Sequence, residues 1–298
     1  MIKETISLRE ALKTIILERH AKPVINAYEI AWYLYELYRD KNFEGVRLGK
    51  ISAKEPDFRV IADVQHFLLS RGLISKCIDN TIYSINNRNP PTAQQVVCCM
   101  SPCSYISHIS AMEWHGITDR IPKILHITQS SSRFLKDFFS EKIKNTFSLV
   151  NDSHFLYPQN ITGIDFFDGK EIIFHKKNNF KMKKEQYGSG GVRVTNIGET
   201  FLDMLKEPDL CGGFEHVFSV FENYHEKFLP VILKEISKNG NSMDKARAGY
   251  ILEEVIGIKN KVIESWKDDV KRGGSRKLIP SNPYKNVFSE TWCISINN

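Results

Sequence analysis

SYISHISAMEWHGITDRIPKILHIT, Ser104 to Thr128, passes from a helical to an extended pattern within one short run. Ser101 and Ser104 are small hydroxyl residues suited to capping a helix, with Pro102 inside that first turn. Ile106, Ile109, Met112 and Trp114 then recur at roughly helical spacing, Gly116 supplies a stop, and Ile124 to Thr128 alternates as a β-rich run. Helix, glycine stop and strand describe a compact α/β unit with Met112 and Trp114 in its core. The residues before it read as a different kind of domain, and those after it read as its continuation.

Immediately upstream, NNRNPPTAQQ (residues 86–95) joins two prolines to polar residues, the composition of a stiff connector with little to pack. The chain is therefore expected to divide into residues 1–88, a linker at 89–96, and residues 97–298. In the first block, LREALKTIILERH (8–20) places Leu8, Leu12, Ile15 and Ile16 on one helical face. Pro23 bars continuation, and Asn26 is a cap for a second helix from Ala27 to about Tyr38, with Tyr28, Ile30, Ala31, Leu34 and Leu37 facing inward. After a polar, basic connection, Pro56 sits in the first turn of a third helix that buries Phe58, Ile61, Val64, Phe67 and Leu68 and ends at Gly72. Two short β-rich runs, Leu73 to Cys77 and Thr81 to Ile85, flank an Asp79-Asn80 turn.

Helix, short strand, helix, helix, hairpin is the plan of a winged helix-turn-helix. A short helix fits the major groove of duplex DNA while the hairpin reaches phosphates beside it. The cations placed to serve such a contact are Arg47, Lys50, Lys54 and Arg59 in the connection and third helix, and Lys76 in the hairpin. Asn80 and Thr81 stand at the hairpin tip, and Arg88 comes after it. Glu44, Glu55 and Asp57 temper that field. The same plan also serves protein-interaction modules, which leaves a non-enzymatic adaptor as an alternative.

Downstream of the opening stretch, SSSRFLKDFFSEKIKNTF (130–147) reads as a capped amphipathic helix and SLVNDSHFLYP (148–158) as extended chain. GIDFFDGKEIIFHKKNNFKMKK (163–184) alternates about an Asp168-Gly169 hairpin turn. Lys176, Lys177, Lys181, Lys183 and Lys184, interleaved with Phe174 and Phe180, form a basic strip suited to a polyanion or to opposing a partner protein. Arg193 is assigned to the same surface, and a lysine-guarded edge strand is the competing description. YGSGGVRVTN lacks the Gly-Lys-Ser/Thr ending of a phosphate-binding loop. A helix begins after Asn196, a long helix runs from Gly213 with a break at Pro230, another begins at Ser242, and an alternating strand from Thr291 to Ile296 closes a sheet. The whole is expected to be α+β: an N-terminal winged helix-turn-helix followed by a larger mixed α/β domain.

The chain has 298 residues and a formal net charge of +6, mildly basic and compatible with nucleic acid. Its start is charged on both sides of an amphipathic run, unlike a signal peptide, and no stretch approaches the ~18 apolar residues of a membrane span. A cytoplasmic location without membrane contact is expected. Cys98, Cys99 and Cys103 have no matching second half for a zinc site, even with His108, and read as reduced core thiols, so no metal or cofactor is assigned. Pairing one of these cysteines with His108 or His115 gives no orienting third group, and His115 reads as a helix-end residue favoured by the dipole. Asp165, Asp168 and Lys170 loosely match an acidic-pair-and-lysine nuclease site with a divalent ion. Turn chemistry already explains Asp168.

Four stretches carry a resemblance to a known family. SYISHISAMEWHGITDRIPKILHIT, VRVTNIGETFLDMLKEPDLCGG (192–213), ARAGYILEEVIGI (246–258) and VKRGGSRKLIPSNP (270–283) succeed one another in the order of the AbiEi-type antitoxins, the transcriptional regulators of type IV toxin–antitoxin (abortive-infection) systems. The resemblance spans most of residues 95–285. It implies a non-enzymatic protein whose first domain binds inverted repeats of double-stranded DNA at its own operon. Its second domain would oppose a nucleotidyltransferase-like toxin, with or without binding it directly.

Overall fold

The computed structural model describes residues 5–49, 51–78, 81–147, 155–160, 164–270 and 276–298. Lys50, Asn80 and the Asp79-Asn80 turn thus lie outside the described residues, as does most of the extended segment expected at 148–158. The chain is mixed α+β and forms two compact units, one of residues 1–105 and 127–193, the other of residues 106–126 and 194–298.

β1 (Thr5–Ile6) leads to α1 (Leu8–Thr14), which Ser7 caps by accepting from the Glu10 N–H at 3.2 Å and which a π turn prolongs over Ile15–Arg19. β2 (Val24–Asn26) delivers Asn26 to the start of α2 (Ala27–Asp40). There the Asn26 side chain accepts from the Glu29 N–H (2.7 Å) and the Glu29 carboxylate accepts from the Asn26 N–H (3.2 Å), a capping box. β3 (Asn42–Phe43) and β4 (Val46–Leu48) form a hairpin whose β4 also pairs in parallel with β1. α3 (Phe58–Ser70) takes Asp57 as its cap, accepting from the Val60 N–H at 2.9 Å. Pro56 therefore stands outside the helix rather than in its first turn, and Phe58, expected in the core, is 53% exposed. β5 (Ile74–Ile78) and β6 (Ile82–Ile85) complete an antiparallel sheet in the order β2–β6–β5.

The compact units do not divide the chain at residues 89–96, and the reason lies in two elements with no unpacked side. α4 (Ala93–Met100) occupies the second half of the expected connector, with Thr92 and Gln95 forming its capping box. It lays Val96, Cys99 and Met100 on Val24 and Ile82, while the other face of that sheet sends Ile25, Tyr83 and Ile85 into the helical core with Leu12, Leu34 and Leu68. α2 is likewise buried twice. Ile30, Ala31, Leu34 and Leu37 join the core with α1 and α3, whereas Tyr28 and Tyr35, with Trp32 beside them, join Leu135, Phe139 and Phe155. Ring pairs Tyr28–Phe139 (5.0 Å, edge-to-face) and Tyr35–Phe155 (4.2 Å) carry that second contact.

Ser104–Ile106, expected as the first turn of a helix, is strand β7. All three residues are buried, and the hydroxyl of Ser104 donates to the Ser101 carbonyl (2.6 Å) instead of capping. The helix, α5 (His108–Trp114), starts later and ends at Gly116, whose φ of 64° is the left-handed value that favours glycine; Trp114 is 39% exposed rather than core. β8 (Ile124–Gln129) and α6 (Ser132–Phe147) come next, then β9 (Phe166–Phe167) and β10 (Lys170–Lys176), in a sheet ordered β7–β8–β10–β9. Asp168 and Gly169 both have positive φ, 49° and 74°, as a two-residue hairpin turn of type I′ requires.

In the second unit, the Asn196–Glu199 capping box starts α7 (Ile197–Lys206), and α8 (Phe214–Asn239) packs against it. α8 runs through Pro230 without the expected break. Pro230 is exposed, so the backbone carbonyl deprived of its partner faces solvent. α9 (Ser242–Gly249) continues as a π turn, α10 (Lys261–Ser265) comes after it, and β11 (Phe288–Ser289) pairs with β12 (Ile294–Ser295), which is shorter than the expected terminal strand. Phe201, Phe221, Trp266 and Trp292 fill the core. A Cβ on Gly249 would overlap the Trp292 indole. Alanine in place of helix-interior glycine ordinarily stabilises by about 1 kcal/mol. Overpacking reverses the sign here, and Gly249→Ala is expected to cost about 2–3 kcal/mol in chemical denaturation. A variant as stable as the parent would show that the indole has room to move.

Candidate nucleic-acid interface

α3 buries Ile61, Val64 and Leu68 and turns Arg59, Asp63, His66 and Ser70 outward, one residue per helical turn along the opposite face. Lys54 is exposed in the irregular segment leading into it. Lys76 projects from β5, opposite Tyr83, and exposed Thr81 opens the return strand. The backbone there is tied inward, since the Ala27 N–H donates to the Thr81 carbonyl at 2.9 Å and so joins the hairpin to the first residue of α2. Arg47 is exposed on β4, in the separate small sheet rather than on α3. None of Arg47, Lys54, Arg59 and Lys76 has a carboxylate partner among the described residues. Asp63 lies in the outward row of α3 and weakens its field.

Two expected contact residues are elsewhere. Arg88 turns inward, donating from its guanidinium to the carbonyl of Lys22 (2.5 Å) in the connection before β2 and to those of Leu17 (3.4 Å) and Ile16 (3.5 Å), which the helix end leaves unsatisfied. Arg193 is 3% exposed and cannot belong to a polyanion surface. Of the basic strip, Lys176, Lys177, Lys181 and Lys184 are exposed, while Lys183 is half-buried with its ammonium 5.3 Å from the Tyr105 ring centre. The strand ends at Lys176, because Phe180 leaves the alternation to stack on Tyr105 at 5.4 Å.

The sequence pattern does not reveal what Arg193 does. Its Nε donates to the Ser104 carbonyl (2.8 Å), its Nη2 to the carbonyls of Ser101 (3.1 Å) and Cys98, and its Nη1 meets Glu185 at 3.4 Å. Glu185 also holds Lys22 (2.8 Å), and Lys22 holds Glu29 (3.0 Å), giving an alternating chain Arg193–Glu185–Lys22–Glu29. Burial pushes the Glu29 carboxyl up, but Lys22, His20 and the Asn26 N–H outweigh it and hold the group below its usual range. Lys22 is shifted the other way: burial opposes its charge, and Glu29 and Glu185 more than restore it. Only the Asn26–Glu29 cap spacing is visible in the sequence. The pairing of Lys22 with Glu185 joins residues far apart in the chain and leaves no periodic signal.

In the second unit His108 is buried at a left-handed φ of 54°, its Nδ1 2.8 Å from the Ser107 hydroxyl and its Nε2 2.9 Å from the Glu207 carboxylate. The order Ser–His–Glu matches that of a nucleophile triad, but Ser107 is completely buried and presents no oxygen to a substrate. His115 donates from Nε2 to the Thr195 carbonyl at 2.7 Å. Burial lowers its pKa, the reverse of the dipole-stabilised cation expected of it. Cys98, Cys99 and Cys103 are buried, and burial pushes their thiols up, Cys103 to about 11. Asp168 is exposed in the β9–β10 turn and Asp165 is exposed just before β9, and among the described residues no three His, Cys, Asp or Glu side chains stand together as a metal site.

No model of a known protein family matches the chain, and no curated protein matches it significantly. No helix among the described residues is long and apolar enough to cross a membrane.

Removing Arg193 would strand the backbone carbonyls of Cys98, Ser101 and Ser104 inside the protein. Arg193→Met is therefore expected to cost about 3 kcal/mol or more in denaturant unfolding, where an exposed phosphate-binding arginine would cost nothing. The pH dependence stems from His20, whose pKa burial lowers below 6.5. Its Nε2–H donates to the Val24 carbonyl (2.8 Å) and its Nδ1 accepts from the Tyr33 hydroxyl (2.9 Å), the pattern of a neutral ring. The unfolded chain protonates first as pH falls, so this stability is complete above pH 6.5 and is lost below it. Glu29 adds a loss of the same sign below pH 4.5. Thermal melts should show the midpoint falling in both windows, and His20→Gln should flatten the upper one.

Proposed function

We propose that this chain is a winged-helix regulator that binds duplex DNA through the outward face of α3 and the β5–β6 hairpin. In this reading it represses its own operon and acts as the antitoxin to a nucleotidyltransferase-like toxin. The observation that carries the DNA half is the set of exposed cations Arg47, Lys54, Arg59 and Lys76, none with a carboxylate partner among the described residues. Arg59 and Lys54 stand on and just before α3, Lys76 on the hairpin after it and Arg47 on the β3–β4 hairpin inserted before it. Apart from that insertion, the order helix–strand–helix–helix–hairpin is that of a groove-reading module. Groove contact by α3 would place Arg59 and His66 against base edges or phosphates, with Lys76 and Thr81 at the flanking backbone. The antitoxin half rests on the resemblance of residues 95–285 and assigns no catalytic residue.

Duplex DNA carrying the protein's own upstream region, titrated by fluorescence anisotropy between about 50 and 200 mM salt, tests the first half. The double variant Lys54→Ala/Arg59→Ala should bind more weakly, with a log–log salt slope shallower by about 1.8, two phosphates at roughly 0.9 each. Its melting temperature should be unchanged, because neither side chain has a carboxylate partner among the described residues to lose. Equal affinity and slope in variant and parent would remove these residues from the interface. Co-expression with the product of the adjacent gene tests the second half: relief of growth arrest supports it, and continued arrest counts against it.

A further inference from the structure

The outward face of α3 carries more than cations. Asp57 accepts from the Val60 N–H at 2.9 Å, which makes Phe58 the first helical residue and sets the direction of its side chain. At roughly 100° per residue, Phe58 stands about a quarter-turn away from the buried stripe of Ile61, Val64 and Leu68. It is 53% exposed. Ala62, one turn further on, is exposed as well. The two form a short apolar strip alongside the row of Arg59, His66 and Ser70, with Asp63 on the row's other side.

Phosphate contact does not account for this strip, because neither side chain has a polar group to offer an oxyanion. In the major groove the choice of partner is narrow. Unmodified base pairs present hydrogen-bond donors and acceptors there and one apolar group, the C5-methyl of thymine. A groove-facing apolar strip therefore has one base partner that it can cover without stripping water from a polar edge. The positive charge of exposed Lys54 and Arg59 beside it favours a polyanion over an apolar protein surface as the occupant of this face.

We propose that Phe58, extended by Ala62, is a specificity-determining contact that reads thymine in the operator by packing on its C5-methyl group. The inference rests on the reading of α3 as the groove-facing helix, and it adds to that reading a base that the bound site must contain. Lys54 and Arg59 hold the phosphates, so affinity and sequence choice come from different side chains of one face.

The test titrates the full chain against two duplexes of the protein's own upstream region, one natural and one with every thymidine replaced by deoxyuridine, with fluorescence anisotropy as the readout. The replacement removes the methyl groups and leaves every hydrogen-bonding edge in place. The parent should bind the natural duplex at least about fourfold more tightly, the effect of burying one methyl group. In Phe58→Ala that ratio should fall below about twofold, because the side chain that covers the methyl is gone. Arg59→Ala should weaken both duplexes alike and keep the parent's ratio. Each ratio compares two ligands on one protein sample, so a loss of folded fraction in a variant cancels. The inference is overturned, with the groove-facing reading left standing, if the parent binds both duplexes equally. The same holds if Phe58→Ala keeps the parent's ratio or if Arg59→Ala lowers it as much. Failure of the parent to bind either duplex overturns both.

Discussion

α2 has no free side, and the organisation of the first unit derives from that. A surface helix needs one apolar stripe, whereas AYEIAWYLYELYRD carries aliphatic residues on one face and aromatic rings on the other. The aliphatic face closes the core with α1 and α3; the aromatic face meets α6 and Phe155. An N-terminal module cut after the hairpin would leave Tyr28, Trp32 and Tyr35 in water, together with the sheet face that α4 covers. Burying each large side chain is worth about 2 kcal/mol, so cutting there would forfeit a sizeable part of a domain's net stability.

The start of α2 is where packing, electrostatics and the candidate interface meet. Asn26 caps the helix and donates to the Cys99 carbonyl at 2.8 Å, which fixes α4 against it. Glu29 closes the capping box and ends the charge chain that runs through partly buried Lys22 and exposed Glu185 to buried Arg193. Ala27 ties in the hairpin by donating its N–H to the Thr81 carbonyl. Displacement of α2 along its axis would therefore strain the hairpin, the capping box and the ion pairs together. Arg88, a surface cation by sequence, lies nearby and donates to the Lys22 carbonyl before β2 and to the Ile16 and Leu17 carbonyls at the end of the first helix.

Much of this was legible in the residues. Asn26 as a cap, the stripe Ile61, Val64 and Leu68, the Asp168-Gly169 turn and the Gly116 stop each depend on a local rule that the fold obeys. What failed was context. Ser104–Ile106 has no local preference strong enough to override a neighbouring strand, and Pro90-Pro91 hid the helix that starts two residues beyond them. Pro230 lies on the solvent side of α8, where a missing N–H costs little. Arginine at 193 looked like surface because its partners are main-chain carbonyls, which no side-chain pattern reveals. The outward cations of α3 and the hairpin were readable one by one.

Native-state hydrogen exchange on the full chain carrying Phe139→Ala tests the shared-helix constraint most directly. Phe139 touches the aromatic face of α2 and belongs to neither α1 nor α3. If α2 is common to both cores, losing that ring, a change worth roughly 3 kcal/mol in a core, should lower amide protection in α1, α3 and α6 together by about a hundredfold. Loss confined to α6, with α1 and α3 exchanging as in the parent, would show that the N-terminal elements stand on their own and that α2 does not bind the unit into one body.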